Sequence, residues 1–462
     1  MPEFAPEQLA AWTGGRWTSP PAAAPTGFAI DTRKLRRGEA FVAIRSESRD
    51  GHDFLAAAAE AGAIAAIVAR PIAGARLPQL VVADPLAAFQ AVARAHRRRF
   101  SGPVIGVTGS AGKTSTKNLL AALLGEEPRV LATEGNLNNH LGVPLTLTRL
   151  DPAVHHYAVI EAGIGAPGEM APLAAMIEPS LAVVTLIAPA HLERFSSLEA
   201  TAREKAVLPA AVGPPGAAIF PGSCLEFAAF RDLAVAKLVV GADAPRPPRG
   251  GAEERISLNI THQAEATTLT LAGGIYAGTF ALPQVSEGMA RNAALAVCAA
   301  LRLGLPAGAL RPRLAAWRPA ALRGELRREG GRLLYLDCYN ANPASMADAL
   351  AAFEAVAPAA EPRLYILGGM EELGPDSPRY HRELGWRLRL RAGDFAFLLG
   401  PQAAAAHDGA LEKGNPAERM AVVDTLAPIA ERLAAFAGSV FIKGSRKYAL
   451  ESLLPAAAPA PA

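Results

Sequence analysis

The stretch GVTGSAGKTSTKNLL, residues 106 to 120, sets a lysine and a threonine directly after a run of small residues. That order suits phosphate. The common loop pattern G-x-x-x-x-G-K-[ST] needs a glycine five places before Gly112, and Val107 stands there instead. A version one residue shorter keeps the physical parts. PVIGVTG reads as a buried strand and TSTKNLLAALLG as a helix, so the backbone of Thr108, Gly109, Ser110, Ala111 and Gly112 can converge on an anion at a helix start. Lys113 would neutralise phosphate charge and the Thr114 hydroxyl would hold magnesium, with Ser115 closing the run. The alternative is a glycine-rich turn that binds nothing.

Further groups stand at strand ends. Glu161 finishes YAVIEAG, at the carboxyl edge where open α/β sheets bind ligands, and a carboxylate there can hold magnesium. A helix-capping or loop carboxylate is the plainer reading. His191 follows the strand SLAVVTLI, as a ligand or as a structural hydrogen-bonder. Lys205 lies on the helical SLEATAREKAVL, where the plain reading is a solvated face. EGNLNNHLGVPLTL, 134 to 147, is dense in amides: Asn136, Asn138 and Asn139, followed by His140. DCYNANPASM, 337 to 346, follows a strand and precedes a helix, which is a ligand-binding position; either stretch can also be turn chemistry.

These groups need a scaffold, and 462 residues exceed one core. The pattern predicts an α/β protein of three domains. Residues 1–84 form a small N-terminal α/β unit. Residues 85–315 form a central parallel-sheet domain carrying the phosphate loop, with an antiparallel hairpin near ATTLTLAGGIYAGTFAL. Residues 316–462 form a Rossmann-like, doubly wound domain. ADAPRPPRGGAEER, 242 to 255, reads as an exposed loop and LLPAAAPAPA as a frayed tail. A net charge of +3 gives no support for nucleic acid or membrane binding. No uncharged apolar run is long enough to span a bilayer, and MPEFAPEQLA carries no export pattern. Cys224, Cys298 and Cys338 match no zinc spacing, so a reducing, cytoplasmic setting is expected. Eight lysines stand against thirty-eight arginines, which weights attention toward each lysine.

Together the segments resemble the Mur ligases of peptidoglycan synthesis. The similarity runs from about residue 31 to 451, through DTRKLRRGEAFVAI, TGSAGKTS, GNLNNHLGVPLTL, EAGIGAPGEM, HLERFSSLEATAREK, RGEL, DCYNANPASM, LGGMEELG and KGSR. NLNNHLGVPLTL and YNANP resemble the branch that adds a dipeptide. The resemblance implies an ATP-dependent ligase that activates UDP-N-acetylmuramoyl-tripeptide as an acyl phosphate and joins it to D-alanyl-D-alanine. It implies Lys113, Lys205, His191 and Arg323 in catalysis. Two magnesium ions would be held by Thr114, Glu161, His191 and a carbamoylated Lys205. Asn292, Arg323 and Asn340 would join the loop around ATP, and Asp31, Thr32, Arg33, Asn138 and Asn139 would meet the UDP-sugar substrate. A monomer is expected. Departures from the family pattern are Leu336 before Asp337, Gly369 where aspartate is usual, Gly288 and Met289 in place of a His-Asn pair, and Ser46 where glycine is usual. A sister ligase adding a single amino acid, a P-loop small-molecule kinase and a non-enzymatic nucleotide-binding module are the rival readings.

Overall fold

The computed structural model describes residues 2–125, 128–190, 192–241 and 253–454. Its strands form three sheets. The first contains β1 (Arg16–Trp17), β2 (Phe28–Ala29), β3 (Ala40–Val42), β4 (Ala65–Val68) and β5 (Gln79–Val81), in the order β1-β5-β4-β3-β2. All its pairs are parallel except β1 with β5.

The central sheet contains β6 (Val104–Thr108), β7 (Val130–Ala132), β8 (Tyr157–Glu161), β9 (Leu181–Val184), β10 (Ala217–Pro221), β11 (Ala236–Val240), β12 (Glu253–His262), β13 (Ala266–Ala272) and β14 (Gly278–Pro283). Its order is β14-β13-β12-β11-β10-β9-β6-β8-β7, parallel from β7 to β12 and antiparallel through β13 and β14. The chain leaves β6 for the edge, returns to β8 on one side of it, and crosses to β9 on the other. This reversal opens a crevice at the carboxyl end of β6, where ligands of open α/β sheets collect. Register puts Val107 beside Glu161 and Thr108 beside Val184, so the loop after β6 and the end of β8 share one rim.

The third sheet holds β15 (Glu325–Glu329), β16 (Arg332–Asp337), β17 (Arg363–Gly368), β18 (Phe395–Leu399), β19 (Met420–Val423) and β20 (Ser439–Lys443), ordered β15-β16-β20-β17-β18-β19. Only the β15–β16 hairpin is antiparallel.

Fully buried strands such as VIGVT and RLYILG are near-continuous apolar runs because helices cover both sheet faces. The Lys113–Leu124 helix buries Leu119, Leu120, Leu123 and Leu124 against one face of the central sheet. Along β10, Ile219 joins that core, while Ala218 and Phe220 face the opposite one. The Pro85–Arg97 helix serves two sheets: Ala88, Phe89 and Val92 pack on the first, and Ala93 joins a core under the second. All three cysteines are free and buried: Cys298 and Cys224 in cores on opposite faces of the central sheet, Cys338 in the third. No helix among the described residues is long and apolar enough to cross a membrane.

Two sequence expectations change. Residues 242–252 lie outside the described set, but Glu253, Glu254 and Arg255 open β12 rather than ending a loop. Their charges are tolerated there because Glu253 sits opposite Lys237 of β11, with Nζ and carboxylate 3.9 Å apart, and pairs with Arg255. In the tail, Leu453 and Leu454 pack on the third sheet's core instead of fraying; residues 455–462 lie outside the described set.

Candidate active site

The loop after β6 has the geometry of an anion cradle. Gly109 and Gly112 take φ of 147° and 76°, and a Cβ on either would lie 1.9 Å from Thr185 Oγ1 or 2.3 Å from Asn292 Nδ2. Only glycine fits. Gly112 is the N-cap of the Lys113–Leu124 helix, so the helix starts where the loop ends. The Ser110 amide donates to Leu186 O and the Ser110 hydroxyl accepts from Ala188 N, tying the loop to the segment after β9. Lys113 Nζ donates to Gly109 O at 2.9 Å, across the mouth of the loop. Burial lowers its pKa, with the charge of Glu161 opposing and that of Arg323 reinforcing the shift. Thr108 is fully buried, and its hydroxyl has no partner among the described residues.

Glu161 is the sharpest feature. It is 1% exposed. Its Oε1 accepts from Thr114 Oγ1 at 3.2 Å and from Asn138 Nδ2 at 2.7 Å. Its Oε2 is buried without a partner among the described residues. A carboxylate oxygen so stranded is costly unless something positive meets it. Together with the Thr114 hydroxyl it forms a hard oxygen set suited to magnesium. No cluster of three or more His, Cys, Asp or Glu that could hold a metal forms among the described residues. His191, expected as a further ligand, lies outside the described residues.

Facing this loop is the third domain, across a cleft of about 510 Å³. Ser110 to Ser115, Asn138, Glu161, Asn292, Arg323 and Asn340 all line it. Arg323 comes from the linker into the third domain, where Leu322 and Gly324 take φ of 61° and 71°, and its guanidinium stacks 3.7 Å above the Tyr339 ring. Asn340 is exposed, and its own Oδ1 accepts from Ala341 N.

Lys205, Asn139 and the expected first-domain residues are not among those lining the cleft. Lys205 is 1% exposed, which overturns the solvated-face reading. Its amine makes no hydrogen bond among the described residues. Burial first, then the charge of Lys113, hold its pKa well below the ordinary lysine value, with Glu204 opposing. Asp31, Thr32 and Arg33 lie in the first domain. Asp31 caps the short Thr32–Lys34 turn and pairs with Arg33, which holds its carboxyl down to about 2. The amides expected on substrate are engaged within the protein. Asn138 holds Glu161, and Asn139 Oδ1 accepts from Leu141 N and Gly142 N at the start of the Gly142–Leu147 helix.

On the other wall of the cleft, where Arg323 and Asn340 were expected, sequence reasoning passed over Lys443 as a site residue. Lys443 is fully buried, and its Nζ donates to Asp337 Oδ2 at 2.6 Å and to the carbonyls of Asp337 and Asn340. The advance signals were the scarcity of lysine and its place at the head of the KGSR segment. The family departures at two glycines also acquire a cause. A Cβ on Gly369 would lie 2.7 Å from the Tyr448 hydroxyl, which bonds Glu371, and one on Gly288 would lie 2.6 Å from Asp348 Oδ2. In each case a side chain from elsewhere fills the space.

Residues 107–300 match the Mur ligase middle domain, and residues 322–446 match the Mur ligase, glutamate ligase domain. With the P-loop and cleft just described, the chain belongs to the Mur ligase family. It is 33% identical to the UDP-N-acetylmuramoyl-tripeptide–D-alanyl-D-alanine ligase of Escherichia coli K12, over 92% of each chain. The crystal structure of MurF from Acinetobacter baumannii superposes with a TM-score of 0.85 at 29% identity, covering 98% of both chains. MurF ligase from Thermotoga maritima, solved in complex with ADP, gives 0.77 at 26% identity, covering 92% of this chain and 96% of that one.

Proposed function

We propose that the protein joins D-alanyl-D-alanine to the terminal carboxylate of UDP-N-acetylmuramoyl-tripeptide at the expense of ATP. The observation that carries this is the cleft itself: a phosphate cradle and a buried, half-satisfied carboxylate on one wall, with Asp337, Asn340 and Arg323 on the other. Similarity to tripeptide–D-alanyl-D-alanine ligases across nine-tenths of the chain supports the choice of substrates.

Condensing a carboxylate with an amine in water is uphill, so the carboxylate must be activated. Transfer of the γ-phosphoryl group gives an acyl phosphate and ADP. The dipeptide amine then attacks the acyl carbon, a tetrahedral oxyanion forms, and phosphate leaves as the amide closes. Such transfer needs positioning and charge neutralisation more than covalent help. Thr108 to Ser115 would wrap the phosphates, with the Lys113 amine at the β- and γ-oxygens. Thr114 and Glu161 would hold a magnesium ion, which would neutralise phosphate charge. Asn292 and Asn340 would meet the nucleotide from opposite walls. Arg323 would deliver its charge when the domains close, and closure would keep water from the acyl phosphate.

Lys205 fits this scheme as a carbamate. Burial disfavours the charged form of this amine. As the free amine it would add to carbon dioxide and lose a proton, giving a carbamate that would hold a second ion, with His191 expected as a further ligand. The UDP-sugar end is assigned to Asp31, Thr32 and Arg33 with the Asn138–Asn139 turn. That Lys34 and Arg36 act electrostatically on Glu134, just before that turn, supports this assignment. A monomer working in the cytoplasm, where UDP-linked precursors and ATP are found together, completes the reading.

Mass analysis after incubation with ATP, magnesium, UDP-N-acetylmuramoyl-tripeptide and D-alanyl-D-alanine tests it. The pentapeptide product, ADP and phosphate are expected. Preference for a single amino acid, or ATP turnover without an amide, would replace this reading with a sister ligase or a kinase.

A further inference from the structure

Two contacts cross the cleft from one helix of the third domain, and both end on backbone of the central domain. Asn342 is the N-cap of the Pro343–Val356 helix. Its Oδ1 accepts from Ser345 N, while its Nδ2 donates to Ser110 O in the phosphate loop at 3.4 Å. Asn342 is buried, so this amide serves both tasks away from water. Farther along the same helix, Asp348 Oδ1 accepts from Gly288 N at 2.8 Å. Gly288 lies in the first turn of the Glu287–Arg302 helix, whose unpaired amides and positive dipole end favour a carboxylate. The approach is so close that a Cβ at position 288 would strike Asp348 Oδ2 at 2.6 Å.

We propose that the Pro343–Val356 helix is a two-point latch, with Asn342 and Asp348 as positioning residues that hold the third domain closed over the phosphate loop. The geometry explains why each residue is what it is. Asn342 needs an acceptor for its own helix and a donor for Ser110, which asparagine supplies and Ser, Thr or Asp cannot in the same way. Gly288 is an unfavourable residue inside a helix unless the missing side chain is needed, and here the carboxylate of Asp348 takes the space. Because Ser110 belongs to the loop assigned to phosphate, the latch reads the state of that loop. The role in catalysis rests on the ligase reading above; the role in closure does not.

Two substitutions on different domains test it. Asn342→Asp keeps the helix cap, since aspartate caps as well as asparagine, but turns an oxygen toward Ser110 O. Gly288→Ala improves helix propensity while driving a methyl group into Asp348, so thermal stability should hold or rise as closure fails. Small-angle scattering of each variant with ADP and magnesium should show a more extended particle than the parent chain. Ligation assays should show kcat lowered about tenfold or more with KM for ATP nearly unchanged. Scattering curves identical to the parent in both variants would overturn the latch, whatever the ligation assay gives. Since scattering needs no amide product, failure of the latch is distinguishable from failure of the ligase reading.

Discussion

Lys205 and Lys443 are both withdrawn from solvent, at 1% and 0% exposure, yet they live under opposite electrostatics. Lys443 meets the Asp337 carboxylate and two main-chain carbonyls, so its charge is desolvated but fully answered. The pairing follows from register, because Asp337 and Lys443 are neighbours at the carboxyl ends of β16 and β20. Lys205 has no hydrogen bond among the described residues, and the charge of Lys113 adds to the burial that disfavours its own. Burial alone therefore assigns neither role. An answered amine is structural; an unanswered one is cheaper neutral, and a neutral amine can react.

The largest test of that contrast is chemical. Lys205→Ala and Lys205→Arg should each lose about a thousandfold or more in kcat, since neither can form a carbamate. Short carboxylic acids should partly restore Lys205→Ala by filling the vacated space. Full activity in Lys205→Arg, read by product mass, would remove the carbamate from the scheme. Lys113→Ala comes next: about a hundredfold loss in ligation with an unchanged melting curve, because the side chain stands in the phosphate cradle at the start of its helix rather than in a core.

The same substitution at both buried lysines should move stability in opposite directions. Lys443→Met leaves Asp337 without its cation and should cost near the low end of roughly 3–5 kcal/mol, since Asp337 keeps some solvent contact. Lys205→Met should raise the melting temperature, measured without metal and in degassed buffer so that no carbamate forms. The sign follows from linkage. A lowered folded pKa means no penalty above about 10.4, where both states are neutral, and a growing one as pH falls and the unfolded chain takes the proton first. The gain from Lys205→Met should thus shrink as calorimetry is moved from neutral to alkaline pH. A melting temperature that falls in Lys205→Met would break the comparison.

Arg323→Ala should give the smallest change, about tenfold in kcat with ATP affinity in the open form nearly kept. Equilibrium dialysis with ATP checks the second half; weakened binding with normal turnover would contradict a role in closure.

The two walls of the cleft were unequally legible from residues alone. The phosphate loop is contiguous, and strand, glycine turn, Lys-Thr and helix announce one another over fifteen residues even where the common spacing fails. Glu161 was legible because a strand end is a local feature. On the opposite wall the contiguous DCYNANPASM was legible as a ligand-binding position, but its contacts are not local. Asp337–Lys443 depends on which strand pairs with which, and Asn342–Ser110 and Asp348–Gly288 depend on how two domains dock. Lys205 misled because its helix, LEATAREKAVLPA, has charged neighbours at Arg203 and Glu204 and no clean apolar stripe, so sequence did not reveal which face turns inward. β12 was hidden by three charged residues at its start, answered only once Lys237 of the adjacent strand is in place.

The three cysteines carry a practical consequence. Burial pushes the thiols of Cys224 and Cys338 up to about 12 and that of Cys298 higher still. Only thiolate attacks an alkylating reagent, so the folded chain should be nearly silent to one at neutral pH. Each sulfur is then a built-in clock for the opening of its own surroundings: Cys338 for the third sheet, Cys298 and Cys224 for opposite faces of the central one. Pulse alkylation followed by peptide mass spectrometry would time those openings separately in one sample, with no probe introduced.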